Sequence, residues 1–309
     1  MRKYRGANYG LINWVIVIAL ALTWGTSFVL IKHSLMGLER FEVASLRIVI
    51  TMTVLLPFVF IYRRRVTRAR YPLLFLSGFL GSGLPAYLFA TAQQHLPSSI
   101  AGVLNALTPV WALVLGILIF RHKTHLLQVL GVVLGFFGAM FLIANGKVQL
   151  DWEHLQYAFY IIIATACYGA NLNLVRSKLS HVPPIAIVAY AFLLIGIPAL
   201  IILISTGFFQ RIASAPAAQH AMLYISVLAI VGTAGASVVF YMLVQRTSTL
   251  FGAMTTYLIP VVAVFWGLFD GESIGWSHAI GLALVLMGVY FATRKQIKEK
   301  PVSETPLAK

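Results

Sequence analysis

The chain has 309 residues, 60% of them hydrophobic and only 10% charged, with a formal net charge of +15. Soluble domains run to about 25% charged residues, so a mean hydropathy of +0.89 leaves too little polar surface for a soluble globule, and lipid must form part of the solvent. The single cysteine, Cys167, excludes an intramolecular disulfide and a cysteine metal cage.

Apolar runs long enough to cross hydrocarbon, about 17 to 25 residues each, follow one another along the chain. The first set covers 13–31, 43–62, 73–93, 99–120 and 126–144, and the second 155–175, 184–207, 221–244, 250–269 and 276–293. The predicted fold is all-α and integral to the membrane, with ten transmembrane helices. Unbroken runs set aside a β-barrel, whose strands alternate apolar and polar residues. The first run follows a basic start, as a secretory signal does. It exceeds a signal core of about 7 to 15 residues, no small-x-small site closes it and Lys32 follows directly, so a retained helix is expected.

Basic residues gather at alternate ends of these runs: Arg2, Lys3 and Arg5; Arg63, Arg64, Arg65, Arg68 and Arg70; Arg121 and Lys123; Arg176 and Lys178; Arg246; and Arg294 to Lys309. The opposite loops hold only Lys32, Arg40, Lys147 and Arg211, with most of the acids: Glu39, Glu42, Asp151, Glu153, Asp270 and Glu272. This positive-inside bias predicts cytoplasmic termini in the cytoplasmic membrane, and it assigns the positive charge to lipid headgroups, with no nucleic-acid partner.

The sequence is also written twice. A shift of 151 places Gly81, Phe89, Gln94, Pro109 and Ala112 on Gly232, Phe240, Gln245, Pro260 and Ala263, and a shift of 150 places Gly131 and Gly138 on Gly281 and Gly288. Residues 1–149 and 150–296 thus form two five-helix repeats, followed by a disordered cytoplasmic tail over 297–309. A repeat with an odd number of crossings is inverted relative to its twin and presents a shared central site to either side in turn.

In the first helix, Trp24-Gly25-Thr26-Ser27 has its twin in Tyr168-Gly169-Ala170-Asn171 of the sixth. Glycine permits close approach and the neighbouring ring offers a flat face to a helix or a ligand. Arg47 lies about a turn inside the second span, where charge at mid-depth costs about 2.5–3.5 kcal/mol. It must reach the outer interface, pair with Glu42 or Glu39, or attract an anionic group. Gly83, Tyr87, Thr91 and Gln94 share one helical face, as do Ala101, Asn105, Thr108 and Ala112. Such stripes face protein or a water-filled cavity. Tyr241, Thr255, Thr256 and Tyr257 supply matching polarity in the second half, and Pro109 and Pro260 are candidate hinges that interrupt the backbone ladder. The glycines of the fifth and tenth helices read as packing faces within the fold or between subunits, which leaves a homodimer open.

The ordered set of Trp24-Gly25-Thr26-Ser27-Phe28 with Lys32, Arg47, Pro109 with Gly116, and the pairs Gly131/Gly138 and Gly281/Gly288 resembles the EamA family of the drug/metabolite transporter superfamily over about residues 13–295. The resemblance implies two inverted five-helix repeats around a central cavity, and metabolite or amino-acid export. EamA-like repeats usually carry a glutamate after the fourth helix of each half. Glu272 fits, but Arg121 occupies the first such place.

No aspartate or glutamate falls within the predicted spans, so neither an intramembrane acid/base pair nor a carboxylate proton relay is available, and an enzyme is not expected. His122 and His125, flanked by Arg121 and Lys123, read as a solvated turn, with no metal or cofactor. What remains is a neutral cavity suited to a small neutral or zwitterionic solute. Its expected contacts are Trp24, Ser27, Tyr87, Thr91, Asn105, Tyr168, Asn171, Tyr241, Thr256 and Tyr257. A flippase for lipid-linked sugar or phosphate, and a non-transporting scaffold or sensor subunit, are the alternative readings.

Overall fold

The computed structural model describes residues 10–96, 98–144, 152–262, 266 and 276–294. The expected tail, Asp151, Asp270 and Glu272 lie outside the described residues. Every regular element among the described residues is helical. In chain order these are α1 (Leu11–Ser34), α2 (Arg40–Tyr62), α3 (Tyr71–Gly78), α4 (Leu84–Gln93), α5 (Ser98–Leu104), α6 (Thr108–Leu118), α7 (Leu126–Ala144), α8 (Trp152–Lys178), α9 (Pro184–Ser205), α10 (Phe208–Ser214), α11 (Pro216–Val227), α12 (Ala236–Arg246), α13 (Thr249–Ala253) and α14 (Trp276–Arg294).

Among the described residues, seven helical segments are long and apolar enough to cross a membrane: Leu11–Ser34, Arg40–Tyr62, Arg68–Ala92, Ile100–Leu118, Gln156–Lys178, Pro184–Ser205 and Pro216–Arg246. Three more apolar stretches, Leu126–Gly138, Thr249–Val262 and Ala283–Ala292, are shorter over the described residues. Two of these spans carry π-helical turns. A π-helical turn, Phe79–Gly83, joins α3 to α4, and another, Leu228–Gly235, joins α11 to α12. These turns coincide under the shift of 151 and widen the backbone at the same depth of each span.

Helices that correspond under the sequence shift run in opposite directions. On α7, Gly131 abuts Gly288 and Ala292 of α14 while Gly138 abuts Leu284 and Val285, an antiparallel crossing. On α2, Met52 meets Gly196 of α9, and the Tyr190 hydroxyl donates to the Val59 carbonyl at 3.1 Å, again antiparallel. Helix α1 opposes the α11–α12 span, with Trp24 at Gly232 and His33 stacked on Tyr224, whereas α8 runs alongside α12, with Asn171 at Tyr241 and Arg176 at Gln245. Thus α1 and α8 are themselves opposed.

The glycine faces of α7 and α14 therefore lie within the fold. Without a hydrophobic drive between helices in lipid, their association rests on close backbone contact, which only small residues allow. A Cβ on Gly288 would strike the backbone of Gly135, which cannot yield, whereas one on Gly196 would strike the Met52 side chain, which can. We expect Gly288→Ala to destabilise the protein by about 1–3 kcal/mol, as overpacking does, and Gly196→Ala by less. Thermal unfolding in detergent checks this, and equal melting temperatures for the two variants would contradict it.

Candidate functional site

The two aromatic-glycine turns seat themselves in each other's halves. Gly25 of α1 lies against Val262, and Gly169 of α8 against Trp111 and Ala112 at the start of α6. Positions 111 and 262 coincide under the shift of 151. The rings follow the same exchange. Trp24 meets Phe240 edge-on at 4.7 Å, and Tyr168 stacks on Phe89 at 6.0 Å, with positions 89 and 240 again equivalent. The Trp24 indole also donates to the Gly232 carbonyl at 2.9 Å, within the second π turn.

Between these crossings lies a cavity of about 100 Å³, room for several waters or a small organic solute. Its aromatic walls are Trp24, Phe28, Phe89, Tyr168, Phe240 and Tyr241, and its polar groups come from Ser27, Arg47, Ser82, Asn105, Thr108, Asn171, Ser237 and Thr256. Among the described residues, no acidic side chain lines it.

Some of these polar groups are committed to the protein and others are not. Asn171 is fixed at both ends: its Oδ1 accepts from the Ser77 hydroxyl at 2.7 Å and its Nδ2 donates to the Tyr241 hydroxyl at 2.7 Å. The absence of a Cβ on Gly81, in the first π turn, leaves space for this pair. Ser27 and Thr256 donate to the carbonyls of Thr23 and Ala253, at 2.9 and 2.8 Å, so their oxygens keep lone pairs to accept from a solute. Asn105 accepts weakly from Thr108 at 3.4 Å, and its amide nitrogen donates to no described residue.

Of the three alternatives open to Arg47, the structure does not show pairing with Glu42 or Glu39. Its Nε donates to the Thr233 hydroxyl at 2.8 Å, and that hydroxyl donates in turn to the Leu228 carbonyl at 3.0 Å. Glu39 and Glu42 face Arg211 instead, at 2.6 and 3.5 Å, and the hydrogen bond to Glu39 holds the Arg211 guanidinium above its ordinary range. Glu42, expected just outside the second span, is fully buried in the first turn of α2, where its other oxygen accepts from the Glu39 backbone N–H at 2.8 Å.

The remaining sequence candidates lie elsewhere. Tyr87 shares a hydrogen bond with Ser45 of α2 at 2.9 Å, and neither Tyr87 nor Thr91 lines the cavity. Tyr257 turns away to donate to the Val132 carbonyl of α7 at 2.7 Å, its ring against Gly135. Pro109 does not interrupt a helix. It occupies the first turn of α6, behind the 3-10 turn Asn105–Leu107, where no intrahelical bond exists to lose. Pro260 likewise follows the 3-10 turn Met254–Tyr257. Sequence reasoning missed Ser77, Ser82, Ser237 and Thr233 altogether. Phe89 and Phe240 were visible as a repeat pair, and that coincidence was the signal that could have placed them at the centre.

The spans are tied together beyond both ends of the cavity. At one end stand the contacts of Arg211 with Glu39 and Glu42, and Gly37 packed on the Ala217 backbone. At the other, Arg176 donates to the Gln245 carbonyl at 2.5 Å, and the Gln245 amide donates to the Val182 carbonyl at 2.9 Å.

Comparison with known proteins agrees with this architecture. The sequence matches the EamA-like transporter family twice, over residues 12–144 and 155–294. It is 24% identical over 285 residues to an uncharacterized transporter of Archaeoglobus fulgidus, covering 92% of this chain and 99% of that one. It is 26% identical to a protein of Escherichia coli K12 named a probable amino-acid metabolite efflux pump, covering 89% of this chain and 93% of that one. A solved crystal structure shares the fold with a TM-score of 0.70 at 17% identity, over 91% of this chain and 96% of that one. With the family matched in both halves, the chain belongs to the EamA-like transporter family of the drug/metabolite transporter superfamily.

Proposed function

We propose that the protein is a secondary-type carrier, facilitator or exchanger, that exports a small neutral or zwitterionic metabolite such as an amino acid across the cytoplasmic membrane by alternating access. It does so as ten helices in two inverted repeats, 1–149 and 150–296, with both termini cytoplasmic. One observation carries the reading: the cavity sits where equivalent residues of the two halves exchange places, with Trp24 on Phe240 and Tyr168 on Phe89. A site placed there is reached from one side or the other by rocking the halves, at the expense of the ties at one end. The opposed directions of α1 and α8, of α2 and α9 and of α7 and α14 support the inversion. The name carried by the Escherichia coli relative supports the solute class.

Aromatic walls pack the solute's methylenes, while Asn105, Ser27 and Thr256 offer one donor and two acceptors to its polar head. Pro109 and Pro260, each in the first turn of a helix that follows a 3-10 turn, are where the backbone bends during the exchange.

Flux from liposomes loaded with a mixed amino-acid pool tests the carrier. Asn105→Leu fills the cavity and removes its unpaired amide, and flux is expected to fall at least about tenfold. Tyr87→Phe alters a bond outside the cavity and should stay within about twofold of native flux. Equal effects of the two substitutions would remove the cavity assignment, and no flux of any solute would favour a scaffold. The ties bear a separate test. In a Cys167→Ser background, Arg211→Gln should raise labelling of Ser237→Cys by a membrane-impermeant maleimide added outside, because the outer tie is lost and the outward-open state gains population. Unchanged labelling would show that Arg211 does not hold the outer end closed.

A further inference from the structure

Resting on the carrier reading of the cavity, we propose that Arg47 is the anchor for a carboxylate on the solute, so that the site selects amino acids and other organic acids over amines, amides and sugars. Arg47 brings the cavity a charge that no described residue there balances. The guanidinium is held in the cavity wall by its Nε alone, and Thr233 is fixed in turn to Leu228 in the π turn. The Thr51 hydroxyl bridges the same two elements, its one proton shared between the Arg47 carbonyl at 2.7 Å and the Ala229 carbonyl at 3.0 Å. The side chain is therefore held in place before any solute arrives.

Among the described residues, both terminal amino groups of Arg47 remain without a hydrogen-bond partner and no carboxylate lines the cavity to balance them. The acids at the start of the same helix are engaged by Arg211. A guanidinium with Nε already occupied presents its remaining donors as a planar fork, the shape that a carboxylate meets with two parallel bonds. One such cation suits a single negative charge and falls short of a multivalent phosphate. The lone pairs of Ser27 and Thr256 and the faces of Trp24 and Tyr168 are suited to an ammonium group, so the two charges of a zwitterion each find a complement.

Isothermal titration of the purified protein in detergent reads the anchor directly, with leucine and phenylalanine each compared with its amide and with its decarboxylated amine, isoamylamine or phenethylamine. We expect the amino acids to bind roughly ten- to a hundredfold more tightly than the amides and amines. Arg47→Gln should abolish that gap and Arg47→Lys retain part of it. The native comparison needs no substitution, so a variant that fails to fold leaves the test intact. Equal affinity of acid and amide for the native protein, or no binding by any of these probes, would overturn the anchor. Liposome flux separates the two claims. Discriminating binding without flux sinks the carrier and leaves the anchor standing, while flux of acid and amide alike sinks the anchor and leaves the carrier.

Discussion

The structure depends on two glycines that let each half of the chain enter the other. Gly25 and Gly169 lie against residues at one equivalent place, Val262 and Trp111, and a side chain at either glycine would hold the halves apart. The aromatic residue before each glycine is thereby carried across the interface onto the partner phenylalanine. In lipid, where apolar burial supplies no drive between helices, such close approach is the principal source of cohesion. The α7–α14 crossing applies the same device at the periphery, and residues of the other segments line the cavity.

That exchange fixes the chemistry of the centre. Two π turns open at the same depth of their spans, one beside Asn171 and the other beside Ser27 and Trp24. The first half contributes Ser27 and Asn105 and the second Asn171 and Thr256, so the polar groups converge from both sides of the interface. They differ in availability. Asn171 is spent on Ser77 and Tyr241, whereas Asn105 and Arg47 retain donors and the two hydroxyls retain lone pairs. Arg47 has no counterpart in α9, so a nearly symmetric scaffold encloses an asymmetric site.

The membrane class, the family and the doubled pattern were legible because lipid tolerates so few ways of satisfying a backbone, and each leaves long apolar runs. Trp24, Ser27, Asn105, Tyr168, Asn171, Tyr241 and Thr256 stood out as polar or aromatic residues on apolar helices, and the fold brings them to one cavity. Tyr87 obeyed the same reasoning and went elsewhere. Helical period reports which residues share a face and not which neighbour that face meets, and here it meets Ser45. Tyr257 was misplaced for a different reason. In a 3-10 turn successive side chains lie about 120° apart, so Thr256 points to the cavity while Tyr257 points to α7. The partner of Arg47 was hidden because Thr233 is 186 positions away in sequence, in a π turn that local composition does not announce.

The central claim is that the two homologous halves stand in the membrane in opposite orientations, and accessibility of equivalent turns measures it most directly. In a Cys167→Ser background, single cysteines replace Arg65, in the turn after α2, and Gln210, in the short helix α10 that follows its counterpart α9; both native side chains are exposed. With a membrane-impermeant maleimide, the cysteine at 65 is expected to label only from the cytoplasmic side and the one at 210 only from outside. Labelling of both from the same compartment would contradict the inverted arrangement and, with it, the shared central site.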